Sequence, residues 1–268
     1  MRAINSVAVH VFKESVRDRV PYNLVLFAVL LISSSYLLGQ LTAGQDVKIV
    51  KDLGLSATAI FGLFISVFIG IGLVSKEVDR RSIYPLLAKP VSRPQFIAGK
   101  YAGLVLTLAV NVAVMTIALY IVLGYMSWME TAAFKAGWDA PGPDPRLLKA
   151  IALIFLELML VTAIAVFFST FSGPILSAAL TLGLYVAGQF NADLKNFDQV
   201  VNSKPAVWLA RGAYHVLPDL SAFDMKTQAV HGLPISAGYM LSAAGYAAVY
   251  IAALLLAATA IFSRRDFK

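Results

Sequence analysis

Residues 76–100 read KEVDRRSIYPLLAKPVSRPQFIAGK and separate two apolar runs, 55–74 and 101–123. Each run has the roughly 20 residues that an α-helix needs to cross the hydrocarbon core of a bilayer. The stretch between them holds six of the 22 Lys and Arg residues in the 268-residue chain. Cytoplasmic loops of membrane proteins carry an excess of Lys and Arg, so this stretch predicts both a membrane fold and an orientation.

The composition indicates the same class of protein. Hydrophobic residues make up 59% of the chain and charged residues 14%, whereas a soluble domain is about one quarter charged. There is no cysteine, which excludes disulfides, thiolate metal sites and cysteine nucleophiles within this chain. The positive residues flank apolar runs and form no single patch, so the net charge of +7 does not indicate nucleic acid. We therefore expect an all-α polytopic membrane protein.

Six apolar segments are candidates for transmembrane helices: 22–41, 55–74, 101–123, 150–168, 175–190 and 236–262. Residues 169–174 include Gly173 and Pro174 and predict a tight turn, which makes the fourth and fifth helices antiparallel neighbours. The predicted six-span domain is 22–268. Residues 191–235 mix charged and apolar side chains and predict an amphipathic segment on the outer face.

The distribution of Lys and Arg predicts where the termini lie. The N-terminal segment, the 76–100 stretch and the C-terminal tail hold 13 of these residues, and the loops on the opposite side hold nine. The positive-inside rule therefore places both termini in the cytoplasm.

Residues 1–21 are predicted to form an amphipathic helix on the cytoplasmic face. Ile4, Val7, Ala8, Val11 and Phe12 follow the spacing of one helical face. Such a helix would lie at the inner interface with its cations among the lipid headgroups. A basic anchor that only sets the topology is an equally open interpretation.

The sequence offers no convincing catalytic site. It contains neither a P-loop nor an H-E-x-x-H pattern, so we expect no enzyme activity and no hydrolysis of nucleotide by this chain. Four residues of the outer segment could meet around a metal, but polar outer loops commonly collect such side chains, and we predict no metal site. These four are His215, Asp219, Asp224 and His231.

Glu157 is the only charged residue inside a predicted span. A carboxylate at the centre of a bilayer costs roughly 2.5–3.5 kcal/mol, so its side chain should face protein or a cavity. It either lines a substrate path or gate together with Asn111, or it is structural and bonds a neighbouring helix near Asn111. Tyr239, Tyr246 and Tyr250 of the last span are predicted to pack helices and not to line a ligand site.

With this layout, the 76–100 stretch resembles the coupling loop of the ABC-2 permeases, the membrane subunits of type 2 ABC exporters. That loop begins with Glu and continues with Leu-Leu, Pro-Val-Ser-Arg and Gly-Lys. The same elements occur here at Glu77, at 86–87, at 90–93 and at 99–100. The family's usual Gly-Thr is replaced by Arg81-Ser82, and the resemblance extends over nearly the whole chain.

The resemblance implies a permease that moves an unidentified substrate, expected in a bacterial inner membrane. Its expected partners are a dimer of separate ABC ATPase subunits, which would bind ATP and Mg, a second permease copy in a homodimer, and membrane lipids. No cofactor and no nucleic acid are expected on this chain. The residues expected to couple it to the ATPase are Glu77, Asp79, Arg80, Arg81, Leu86, Leu87, Pro90, Arg93 and Lys100.

Two other classes of function remain as alternatives. A proton-coupled secondary transporter could use Glu157 as its proton carrier, but such proteins usually have several membrane carboxylates or an inverted repeat. A membrane scaffold could recruit a cytosolic partner and transport nothing. One membrane carboxylate and no clear repeat favour the exporter.

Overall fold

The computed structural model describes residues 2–17, 19–39, 46–79, 92–138, 140–191, 214 and 217–264. The regular structure in these ranges is helical, with no strand, so the predicted all-α class is confirmed for them. The long helices are α1 (Arg2–Arg17), α2 (Arg19–Gly39), α3 (Asp46–Asp79), α4 (Arg93–Met129), α5 (Arg146–Ser169), α6 (Pro174–Gln189) and α7 (Ala237–Arg264). Short helical turns lie at Ala132–Lys135, Ser221–Phe223 and Lys226–Val230.

Each predicted span falls on one of the helices α2 to α7. In the described part of the chain, five helices are long and apolar enough to cross a membrane, and they are α2, α3, α4, α5 and α7. The 16-residue α6 is apolar but shorter. The count of six spans and the orientation of the termini therefore stay predictions.

The structure corrects the predicted extent of two loops. Residues 76–100 were expected to form one loop, but α3 continues to Asp79 and α4 begins at Arg93. The predicted spans 22–41 and 55–74 also left residues 42–54 outside any helix, and α3 already begins at Asp46. Charged residues end an apolar run without ending a helix, because the backbone hydrogen bonds continue through them. At the start of α4, the Gln95 side chain accepts a hydrogen bond from the Ser92 backbone N–H at 3.3 Å.

Helix α5 is the centre of the bundle and contacts α3, α4, α6 and α7. All seven of its residues in the range 160–166 are buried. Three glycines of α3 allow close approach of its neighbours: Gly54 faces Leu119 of α4, while Gly62 and Gly70 face Leu158 and Ala165 of α5. Small residues let helix backbones approach closely inside a membrane, where burial of apolar surface no longer drives association.

The bundle has two ends, which we call the α1 end and the far end. The α1 end holds α1, the start of α4 and the end of α7. At the far end, the segment before α7 is tied to the start of α5. The Arg146 guanidinium donates to the Gly232 carbonyl, and the Lys149 ammonium donates to the Ile235 carbonyl at 2.8 Å. Gly232 has a positive φ of 66°, a conformation that glycine adopts without strain.

Candidate functional site: an α1 docking groove and an intramembrane polar cluster

Helix α1 lies in a groove that two glycines of α4 create. A methyl group added at Gly99 would lie 2.8 Å from the Val7 Cβ, and one added at Gly103 would lie 2.7 Å from the Val11 Cβ. Any side chain at either position would therefore push α1 away. Val11 is 2% exposed. The apolar face that the spacing predicted for α1 thus packs on protein.

The neighbouring face of the same turns of α4 holds the end of α7. One guanidinium nitrogen of Arg93 donates to the carbonyl oxygens of Phe262 at 3.3 Å and Ser263 at 2.5 Å. The Phe96 ring stacks on the Phe262 ring with centroids 6.0 Å apart. The Lys100 ammonium lies 4.7 Å from the centre of the Phe96 ring, and Lys100 is 1% exposed.

The residues predicted to couple the chain to an ATPase fall into three groups. Glu77 and Asp79 belong to the last turn of α3. Arg93 and Lys100 lie in the first turns of α4 with the contacts just given. The others lie outside the described residues: Arg80, Arg81, Leu86, Leu87 and Pro90. No ATPase is present, so the coupling role of all nine stays a prediction.

A polar cluster surrounds Glu157 near the middle of α5. Glu157 is 5% exposed, and its Oε1 accepts a hydrogen bond of 2.5 Å from the Gln189 side-chain amide. Tyr185 lies one turn before Gln189 on α6 and acts on Glu157 electrostatically. The Lys226 ammonium and the Asp224 carboxylate act on Glu157 electrostatically. The hydrogen bond of this carboxyl therefore joins α5 to α6.

The structure gives Glu157 a different partner from the one expected. Asn111 donates to the Thr107 carbonyl of its own helix at 2.8 Å, and the hydrogen-bond partner of Glu157 is Gln189 of α6. The interpretation in which Glu157 bonds a neighbouring helix is supported, with α6 in the place of α4. The role of Glu157 and Asn111 in a substrate path stays a prediction.

The segment that follows residue 216 packs against the end of α6, at the level of this cluster. The Leu220 N–H donates to the Gly188 carbonyl at 3.1 Å, and the Asn191 amide donates to the Leu217 carbonyl at 3.2 Å. Leu220 and Phe223 are completely buried. Because α6 is short, this segment fills the space beside α5 and α7 that a longer α6 would occupy.

The tyrosines of α7 hold the same segment in place. The Tyr239 hydroxyl donates to the Ala222 carbonyl at 2.5 Å, and the Tyr246 hydroxyl accepts from the Asp219 N–H at 2.7 Å. The Tyr246 ring lies 4.8 Å from that of Tyr250. These contacts support the interpretation that the tyrosines pack the bundle.

The candidate metal ligands of the outer segment are engaged otherwise. Asp219 accepts a hydrogen bond from Ser221 at 2.6 Å, and Asp224 pairs with Lys226 at 3.4 Å. His215 lies outside the described residues. Within the part of the chain that the structure does describe, no three His, Asp or Glu residues are grouped to hold a metal ion.

Sequence reasoning did not find the partners of Glu157 or the groove for α1. Gln189 and Tyr185 sit four residues apart, which places them on one face of α6, but neither side chain is unusual near a membrane interface. Gly99 and Gly103 have the small-x-x-x-small spacing that marks close helix contacts. This spacing indicates a close helix contact at the start of α4, but it does not indicate that α1 is the helix in contact.

Comparisons with known proteins give one result for the whole chain. A family model described as an ABC-2 family transporter protein matches residues 6–267. A search of curated proteins found none that matches this chain.

Proposed function

The chain belongs to the ABC-2 family of transporter proteins, and from this premise we propose that it is the permease subunit of an ATP-driven ABC exporter. The family match makes it a multi-pass membrane protein and a permease component of an ABC transporter. This match carries the proposal, because it spans both the charged 76–100 stretch and the helices around it. ATP-driven export and the assembly described next are the parts that we propose.

The proposed assembly contains two copies of this chain and two ATPase subunits. Helices α2 to α7 are the six spans, with α6 as a short one, and the α1 end faces the cytoplasm of a bacterial cell. The excess of Lys and Arg in the segments of that end supports this orientation. Large apolar side chains of α6, such as Ile175 at 87% exposed and Val186 at 52%, leave a surface for the second copy or for lipid.

In this assembly the ATPase acts on the segment between α3 and α4. The ATPase subunits would bind ATP and Mg and close around the nucleotide. This closure would displace the ends of α3 and α4. The groove of Gly99 and Gly103 supports this route, because it ties α1 to the first turns of α4. Displacement there would move α1 together with α4.

The Glu157 cluster is the proposed gate of the substrate path. It is buried, it lies near the middle of α5, and its bonds join α5 to α6. A path between two permease copies must open by separating such contacts. The substrate itself stays unassigned.

A charge reversal on α3 tests the proposal with a control on the same helix. The test variant is Glu77→Lys, at the α1 end. The control is Asp52→Lys, at an exposed position of the far end. We expect Glu77→Lys to abolish stimulation of the ATPase by the permease in proteoliposomes, and Asp52→Lys to preserve it. The proposal fails if the purified chain binds no ATPase subunit, or if transport continues when ATP hydrolysis is blocked.

A further inference from the structure

Two backbone carbonyls in the last described turn of α7 accept hydrogen bonds from a side chain of α4. The C-terminal part of a helix is the negative end of its dipole, so a nearby cation is stabilising. Phe262 and Ser263 belong to the last turn of α7. Arg93 donates to both carbonyls, so a cation from α4 bonds the backbone of α7 directly.

Phe96 and Lys100, which lie one and two turns after Arg93 on α4, extend this contact. The Phe96 and Phe262 rings are nearly parallel, with an interplanar angle of 21°. Lys100 lies against the Phe96 ring and is buried. Phe262 is 4% exposed. The contact between α4 and α7 is therefore packed as well as hydrogen-bonded, which fixes the relative position of the two helices.

The same three turns of α4 hold two other helices in register. Residues 93–103 span about 15 Å of helix. At 100° per residue, Arg93, Phe96 and Lys100 occupy one face, and Gly99 and Gly103 the adjacent face. The first face carries α7 and the second carries α1. The start of α4 is thus a junction of α1, α4 and α7, placed directly after the segment on which the ATPase is proposed to act.

We propose that Arg93 is a positioning residue that joins α7 to this junction, so that a displacement of the start of α4 moves α7 as well as α1. This inference rests on the proposed function. It assigns Arg93 to a contact inside the permease, whereas the family resemblance implied a contact with the ATPase. Arg93 is half-buried, and its bonded nitrogen faces α7.

The test compares Arg93→Gln and Arg93→Lys with Arg17→Gln. Arg17 is an exposed cation at the same end of the bundle, so its variant controls for loss of one positive charge. Lysine keeps the charge but lacks the planar fork of arginine, so Arg93→Lys should be intermediate. The first measurement is the affinity of the detergent-solubilised permease for its ATPase subunit, and the second is substrate transported per ATP hydrolysed.

The third measurement reports the contact itself. Because the chain contains no cysteine, nitroxide labels can be placed at Ala102→Cys on α4 and Ala260→Cys on α7, both exposed positions. With Arg93 present, the distribution of distances between the two labels should be narrow. With Arg93→Gln it should broaden, since loss of hydrogen bonds from a charged group lowers the joined population on the order of tenfold.

For Arg93→Gln we expect an unchanged affinity for the ATPase, a broadened label distance and a transport yield per ATP lowered on the order of tenfold. Arg17→Gln should match the unaltered chain in all three. A lowered ATPase affinity with an unchanged label distance would assign Arg93 to the ATPase contact and overturn the proposal, as would no change in any readout. If the unaltered chain binds no ATPase, the proposed function fails, whereas the label distance still reports whether Arg93 joins α4 to α7.

Discussion

The docking of α1 on α4 depends on Gly103, because this residue has only a hydrogen atom where any other residue has a side chain. In the variant Gly103→Ala, the added methyl carbon would lie 2.6 Å from the Ala8 carbonyl oxygen and 2.7 Å from the Val11 Cβ. One of these atoms is backbone, so no rotation of a side chain relieves the contact. Helix α1 must move away from α4 as a unit.

The expected cost follows from a comparison with a second glycine of the same helix. Gly124 of α4 has no other atom within 4 Å of an added methyl group. Both alanine variants gain about 1 kcal/mol of helix propensity. Overpacking costs about 1–3 kcal/mol and applies to Gly103→Ala alone. The difference between the two variants therefore isolates the docking of α1 and should be about 1–3 kcal/mol, which is roughly a 5- to 150-fold change in equilibrium.

Limited proteolysis measures this equilibrium. Lys13 and Arg17 are exposed on α1, and trypsin requires the helix to leave its groove and open locally before it can cleave after them. When opening is fast relative to cleavage, the cleavage rate follows the open population. Gly103→Ala should be cleaved roughly 5 to 150 times faster than Gly124→Ala in detergent. Equal rates for the two variants would refute the docking groove.

Further variants test three other contacts. Glu157→Gln should keep the apparent Tm in detergent, while Glu157→Leu deprives Gln189 of its acceptor and should cost about 1–3 kcal/mol; equal Tm values for the two variants would contradict the hydrogen bond. Gly70→Ala places a methyl group 2.7 Å from a Cβ of α5 and should lower the apparent Tm by roughly 2–10 °C, whereas Gly183→Ala on α6 meets open space and should not; a loss at both positions would contradict the packing. Tyr239→Phe removes one hydrogen bond to the segment before α7 and should accelerate its amide exchange by roughly fivefold; unchanged exchange would show that the bond does not hold the segment.

The helices were predictable because apolar length is a strong signal in a membrane chain. Each predicted span overlaps a helix of the structure, and α6 matches its prediction to within one residue at each end. The bounds of α3 and α4 were not predictable from hydropathy, since both continue into charged sequence. Hydropathy reports where lipid could lie, whereas a helix ends only where its backbone hydrogen bonds stop.

The residues of the candidate site could be predicted from the sequence, but the contacts that these residues make could not. A lone carboxylate in a span identified Glu157, because burying a charge without a partner is costly. Its partner could not be predicted, since many polar side chains of other spans were available at a similar depth. Arg93 shows the same limit: its charge was clear from the sequence, but a cation near a membrane surface can bond a headgroup, another protein or a helix end. Only the position of α7 decides among these.

The way the helices pack also determines where the bundle can yield when its α1 end is displaced. Helices α3 and α5 fit closely through Gly62 and Gly70, so they resist sliding past each other. Helix α6 is different, because Ser177, Thr181 and Gly188 are its only fully buried residues and they form one narrow face. Helix α6 is therefore held by few buried residues of its own. The bond between Glu157 and Gln189 spans the interface of α5 and α6, so a displacement that starts at α4 and reaches α5 would strain that bond. A carboxyl inside a membrane span is costly unless it is bonded, and the position of its bond across the interface of α5 and α6 is the physical reason for which we propose it as a gate.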